Sequence, residues 1–98
     1  MHRPVTYHPE AVAELREAYR WYRDIRPALG EKFFKNVRDT IHKICEQPLA
    51  YPVLKDVARC KRVSHFPYNL IFIPENENIR IIAAFHDSRD PQQWIKRL

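Results

Sequence analysis

The sequence predicts an α+β fold: an N-terminal strand, an antiparallel helix hairpin packed on an antiparallel β-sheet, and a short C-terminal helical tail. Three observations predict it. Two consecutive stretches carry apolar residues at alternating steps of three and four, the rhythm of amphipathic helices. Their short separation folds the second helix back on the first. Beyond residue 58 the period changes to that of strands, broken by turn residues.

Val5–His8 has β-branched and aromatic character and reads as the first strand. Pro9 then suits the first helical position, where its missing N–H is not needed. From Glu10 to Arg26, Ala11, Leu15, Ala18, Tyr22 and Ile25 form one stripe, with acids early and arginines late, as the helix dipole favours. The segment Arg26-Pro27-Ala28-Leu29-Gly30 is read as a break. A second helix is expected from about Glu31 to Glu46, with Phe34, Val37, Ile41 and Ile44 on its stripe, Phe33 beside it and Gln47-Pro48 ending it. Leu49–Ala58 reads as a loop. Arg59–Phe66, Asn69–Ile73 and Ile79–His86 read as three strands of a meander, the last two apolar enough to be buried. Glu75-Asn76-Glu77-Asn78 and Asp87–Pro91 are turns, and Gln92–Leu98 forms a last helical turn. The expected core is Leu15, Tyr22, Phe34, Val37, Ile41, Leu70, Phe72, Ile81 and Ala83 or their neighbours. The pattern does not decide which face of each strand meets the helices.

At 98 residues the chain is long enough for one domain, residues 1–98. Apolar residues make up 45% and aromatics 12%, which separates it from disordered segments. A single glycine against eight prolines excludes a phosphate-cradling glycine loop and a flexible linker. Cys45 and Cys60 read as reduced thiols, and the five histidines share no metal-ligand spacing with them, so neither a metal site nor a cofactor is expected. No apolar run is long enough to span a bilayer and no leader opens the chain, so no membrane partner is expected and the protein reads as cytoplasmic. The net charge of +5 favours an anionic partner: nucleic acid, a ribonucleoprotein or an acidic protein.

Two features hold candidate functional residues. The first is Lys55, Arg59, Lys61 and Arg62, opposed only by Asp56. Strand alternation puts Arg59 and Lys61 on one face and Arg62 on the other. This is either a solvated strand edge protected by charge or a basic rim for an anionic partner. The second is His86-Asp87-Ser88-Arg89-Asp90-Pro91 with Trp94, where a cation and an indole lie close together. Here Arg89 either pairs with a neighbouring aspartate or faces a partner, and Trp94 either packs on the core or offers stacking. The tail Trp94-Ile95-Lys96-Arg97-Leu98 ends basic, as a contact element or a frayed end.

Five segments in order carry a resemblance: Tyr7-His8-Pro9-Glu10-Ala11; Trp21-Tyr22; Arg26-Pro27-Ala28-Leu29-Gly30 with Phe33; Phe66-Pro67-Tyr68; and His86 with Arg89-Asp90-Pro91 and Trp94. Gln47-Pro48 and Tyr51-Pro52 add prolines at matching places. Across nearly the whole chain this resembles the RelE/ParE superfamily of toxins from type II toxin–antitoxin systems, and the Phe-Pro-Tyr and Arg-Asp-Pro…Trp segments look closer to the ParE branch. The resemblance implies growth inhibition and neutralisation by a cognate antitoxin, ParD-like or similar. It implies either of two targets. ParE-like members poison DNA gyrase and are not known as nucleases. RelE-like members enter the ribosome and cut mRNA with cations on the sheet. For cleavage the candidates are Lys61, Arg62, Arg89 and His86. For target binding they are Arg59, Lys61, Arg62, Arg89, Trp94, Lys96 and Arg97. Asn69 stands where cleaving members carry a basic residue, and Trp94 near where some carry a tyrosine. An amide brings no positive charge and an indole cannot serve as general acid or base near neutrality, which favours gyrase over mRNA.

Overall fold

The computed structural model describes residues 3–98. Strand β1 is Val5–Tyr7, helix α1 Pro9–Ile25 and helix α2 Pro27–Glu46. A 3₁₀ turn at Pro48–Ala50 leads to β2 (Val53–Lys55), β3 (Ala58–Arg62), β4 (Tyr68–Glu75), β5 (Asn78–His86) and a short helix α3 (Gln92–Ile95). The five strands form one sheet in the order β1-β5-β4-β3-β2. β1 runs parallel to β5 and the other pairings are antiparallel. This is the expected α+β architecture. None of the helices among the described residues is long and apolar enough to cross a membrane.

The hairpin break is shorter than the sequence suggested. His8 caps α1 by accepting the Glu10 N–H on Nδ1 at 3.1 Å, and Pro9 fills the first turn. Arg26 alone separates the helices. It is extended because the residue before a proline is barred from the helical region, and Pro27 then opens α2 as its first residue. Gly30 is therefore a helical residue. Its role is close approach: a Cβ there would lie 2.9 Å from the Cβ of Arg23, so glycine lets α2 press against α1.

Starting α2 at Pro27 also corrects its buried stripe. Gly30, Phe33, Val37, Thr40 and Ile44 face inward; Phe33 is 2% exposed, whereas Phe34 is 59% exposed. Thr40 hid this stripe in the sequence. It tolerates burial because its hydroxyl donates to the Asn36 carbonyl at 2.7 Å. Leu15, Tyr22 and Ile41 are partly buried against the core, and Ile25, at the open end of α1, is exposed.

Two apolar layers result. On the helix side Leu70, Phe72, Ile79, Ile81 and Ala84 pack with Ala11, Ala18, Phe33, Val37 and Ile44. On the far side Ile71, Ile73, Ile82, Ala83 and Phe85 pack with Trp94 of α3. A bulge between Ile71 and Phe72 of β4 and the facing Ile82 allows the adjacent Ile82 and Ala83 both to join this far layer, so Ala83 does not share a face with Ile81. The sheet gains β2 inside the stretch read as a loop, with Asp56 in a left-handed turn at φ 53° between β2 and β3. β3 ends at Arg62, short of Phe66, and His65 turns the chain at φ 67°.

Candidate functional site

The basic strand β3 presents its charges on two faces, as its register dictates: Arg59 and Lys61 lie opposite Phe72 and Leu70, and Arg62 opposite Asn69. Each cation has local work. Arg59 Nη1 donates to the Tyr51 carbonyl at 2.7 Å and the Leu49 carbonyl at 3.3 Å, tying the 3₁₀ turn to the sheet. Lys61 Nζ sits 4.8 Å from the centroid of the Tyr51 ring. Arg62 pairs with Asp87 at 2.9 Å, and Asn69 Nδ2 donates to the same carboxylate at 2.7 Å. These two hydrogen bonds, Arg62 first, hold the Asp87 carboxyl below its ordinary pKa.

The C-terminal candidates meet around Glu14 of α1. β1 ends at Tyr7, opposite Ile81, so further along β5 the Ile82 carbonyl and Ala84 N–H have no strand beside them on that edge. A side-chain pair takes the place of the missing strand. Glu14 Oε1 accepts the Ala84 N–H at 3.0 Å, and Arg97 Nη1 donates to the Ile82 carbonyl at 2.9 Å. Arg97 also clasps both Glu14 oxygens at 2.8 Å, while its Nε lies 2.9 Å from Glu10 Oε2. The Glu14 hydrogen bond, followed by the Glu14 and Glu10 charges, raises the Arg97 pKa against the opposing effect of burial. The Arg97 side chain is 7% exposed. Neither Arg97 nor Trp94 is thus part of an exposed or frayed tail; both hold the C-terminus to the sheet. Lys96 between them is exposed. Arg89 lies 3.9 Å from Glu14 rather than in an ion pair with Asp87 or Asp90, and is partly exposed.

His86 Nδ1 accepts the Ser88 N–H at 3.0 Å, and its ring meets Tyr68 edge-on at 5.0 Å. Burial raises the Tyr68 pKa, with Arg89 opposing. On the far sheet face, Leu54, Ile71, Phe85 and Trp94 floor a shallow cavity of about 570 Å³ rimmed by Lys55, Asp87 and Arg89. The structure brings Arg62 and Arg89 towards the end of the sheet that carries Asp87, but it leaves Arg59 and Lys61 on the opposite face. No group of histidine, cysteine or acidic side chains among the described residues is placed to hold a metal ion.

The sequence reading missed a second surface. Between α1 and α2, Val12, Leu15, Tyr19, Phe34 and Ile41 line an apolar groove of about 350 Å³ with Arg16 and Arg38 at its rim. It continues past Arg20, Arg23 and Lys35, with Glu31 the one acid lining that stretch. The signal was present in the sequence. Phe34 and Ile41 form an apolar stripe beside the buried one, and Arg16, Arg20 and Arg23 follow helical spacing.

Residues 5–91 match the family model described as ParE toxin of type II toxin-antitoxin system, parDE. The chain belongs to the ParE toxin family. Among solved structures, this ParE-family chain is similar to one titled "Chromosomal ParDE TA system from P. aeruginosa", with a TM-score of 0.70 and 18% identity over 86% of this chain and 95% of that one. It is also similar to a YoeB dimer from Staphylococcus aureus, with a TM-score of 0.61 and 17% identity over 88% of this chain and 99% of that one. A YoeB–YefM complex from the same organism gives a TM-score of 0.58 at 17% identity, with the same coverage. At these identities the likeness establishes the shared fold. No curated protein sequence matches. The ParE match covers every strand and both long helices, and stops just short of α3 and the Arg97 latch.

Proposed function

We propose that this ParE-family toxin arrests growth by binding and poisoning DNA gyrase, and that a cognate antitoxin, ParD-like or similar, neutralises it. The observation that carries the choice of target is the closed Arg62–Asp87–Asn69 cluster on the sheet. Cleaving an RNA phosphodiester needs free positive charge at the developing pentavalent phosphate and a group that moves protons. Here the carboxylate of Asp87 already neutralises Arg62, Asn69 contributes an amide, and Trp94 is buried in the far layer. His86 has Nδ1 engaged by Ser88. A surface of this kind suits recognition of a protein better than phosphate chemistry.

The hairpin groove supports the antitoxin half of the reading. Its apolar floor and arginine rim fit an amphipathic helix with acids along its flanks, the helix-in-groove mode of recognition. The similar structures, a ParDE system and a YoeB–YefM complex, favour such a partner. The test is purified toxin added separately to a gyrase supercoiling reaction and to translating ribosomes carrying a reporter mRNA. Inhibited supercoiling with intact mRNA is expected. Untouched gyrase with cut mRNA, abolished by Lys61→Ala and Arg62→Ala, replaces this reading with ribosome-dependent endoribonuclease activity.

A further inference from the structure

The sheet has a second open edge, opposite β1. β2 is its outermost strand, and around it Leu49, Val53, Leu54 and Val57 are each 50–70% exposed. Val53 and Leu54 are neighbours on β2 and point to opposite faces, Leu54 towards Phe85 and Trp94, so exposed aliphatic side chains flank this edge on both faces. The strand is short and irregular, with a register shift between Val53 and Lys55. That limits indiscriminate edge pairing. Lys55 at the end of β2 and Lys61 on β3 bring positive charge to this edge, opposed by Asp56 in the turn between the two strands.

We propose that this edge docks an extended, apolar and acidic segment of the protein that the toxin inhibits, added to the sheet as a further strand beside β2. The proposal rests on the reading of the chain as a toxin with a protein target. Strand addition supplies main-chain hydrogen bonds from the open edge, and alternate side chains of the incoming segment meet the aliphatics. The lysines select acids at its flanks. A second copy of the chain fits less well. Two chains of +5 repel. The antitoxin is proposed above to take the hairpin groove. The hairpin groove reaches Tyr7 of β1, the opposite edge of the sheet, four strand spacings or about 19 Å away.

The experiment uses the full chain with Leu54→Glu, Val57→Glu and, as a charge control, Leu54→Lys. These side chains are half exposed, so the variants should fold, checked by circular dichroism and by antitoxin binding. The glutamates should raise the toxin concentration that halves gyrase supercoiling about tenfold. Leu54→Lys should raise it less, and antitoxin affinity should not change. Glutamate variants as potent as the unaltered chain overturn the proposal. So does a parallel loss of antitoxin affinity, which assigns the edge to the antitoxin. A toxin dimer that Leu54→Glu splits assigns it to a second copy and also overturns the proposal. If the unaltered toxin leaves supercoiling untouched, the gyrase reading fails by itself. Growth arrest then decides the edge: weakened by the glutamates it supports the proposal, undiminished it overturns it.

Discussion

The hairpin groove and the C-terminal end of the sheet are both rich in arginine, and they use it in opposite ways. At the C-terminal end the guanidinium groups are already engaged: Arg97 takes the place of a missing strand, and Arg62 pairs with Asp87. In the groove none of the ion pairs among the described residues involves Arg16, Arg20 or Arg38. A net charge of +5 says nothing of this difference. Cations are available to a partner only where the chain has not already given them a carboxylate or a carbonyl. This makes the groove, rather than the basic tail, the place to look for electrostatic capture.

The largest expected effect tests the C-terminal side of that contrast. Arg97→Ala removes one half of a buried, bidentate pair, leaving Glu14 with only the Ala84 N–H and the more distant Arg89 and the Ile82 carbonyl unsatisfied. Breaking such a pair costs about 3–5 kcal/mol, a large part of the stability of a chain this small. Urea denaturation should show the loss. Truncation after Trp94 removes the same clasp and should unfold at similarly reduced urea concentration. Lost toxicity in either variant therefore reports on folding before it reports on a target. If Arg97→Ala unfolds like the unaltered protein, the clasp is not structural and Arg97 returns to the list of contact residues.

Two adjacent phenylalanines sharpen the comparison on the hairpin. Phe33 lies in the core with Tyr22, Phe66 and Tyr68 around it at centroid distances of 5.1–5.5 Å. Phe33→Ala should cost about 3–5 kcal/mol in denaturation. Phe34→Ala should cost less than about 1 kcal/mol, while weakening antitoxin binding measured by calorimetry. Equal stability losses at the two positions would mean that the groove-lining residue is core.

Electrostatic capture gives a smaller, kinetic effect. Association with the antitoxin should be faster at low ionic strength than at high, since exposed charges are screened over about 8–10 Å in physiological salt. Arg16→Ala and Arg38→Ala together should flatten that dependence and slow association, measured by stopped flow. An association rate indifferent to salt removes the electrostatic part of the groove's role.

The difference between what could be read from the sequence and what could not follows the distance over which each feature is determined. The hairpin, β4 and β5 are written in local period, and the sequence shows them. The phase of α2 is hidden in the sequence because Thr40 looks polar, and only the structure shows its hydroxyl donating to the Asn36 carbonyl, one helical turn away. β2 carries no period of its own; its three residues become a strand because β3 lies beside them. The Glu14–Arg97 clasp joins residues 83 apart and answers a gap left by the shortness of β1, so no local pattern announces it. Lys55, Arg59, Lys61 and Arg62 stand out in the sequence as a basic set, and the alternation of Arg59, Lys61 and Arg62 is visible there. That Asp87 occupies Arg62 depends on the β4–β5 register, which brings Asn69 opposite Phe85 and the following turn beside both.

The smallest effect belongs to that last cluster. Arg62 and Asp87 are exposed, so the pair adds little to stability and is weakened by salt. It is still measurable through protons. Asp87 is held below the ordinary aspartate value of 3.8, first by the Arg62 hydrogen bond and then by that of Asn69. A depressed carboxylate pKa means that the unfolded chain binds the proton more readily. The contribution of Asp87 is therefore complete above pH 3.8 and disappears as the pH falls through the lower, folded value. Arg62→Ala should move the Asp87 titration, followed by carboxyl NMR, upward towards the ordinary value, and Asn69→Ala should move it less. It should leave unfolding at pH 7 nearly unchanged, and it should not touch the groove's affinity for the antitoxin. An Asp87 that titrates identically with and without Arg62 would mean that the guanidinium is free in solution. Arg62 would then be available to a phosphate, and the strongest argument against RNA cleavage would go with it.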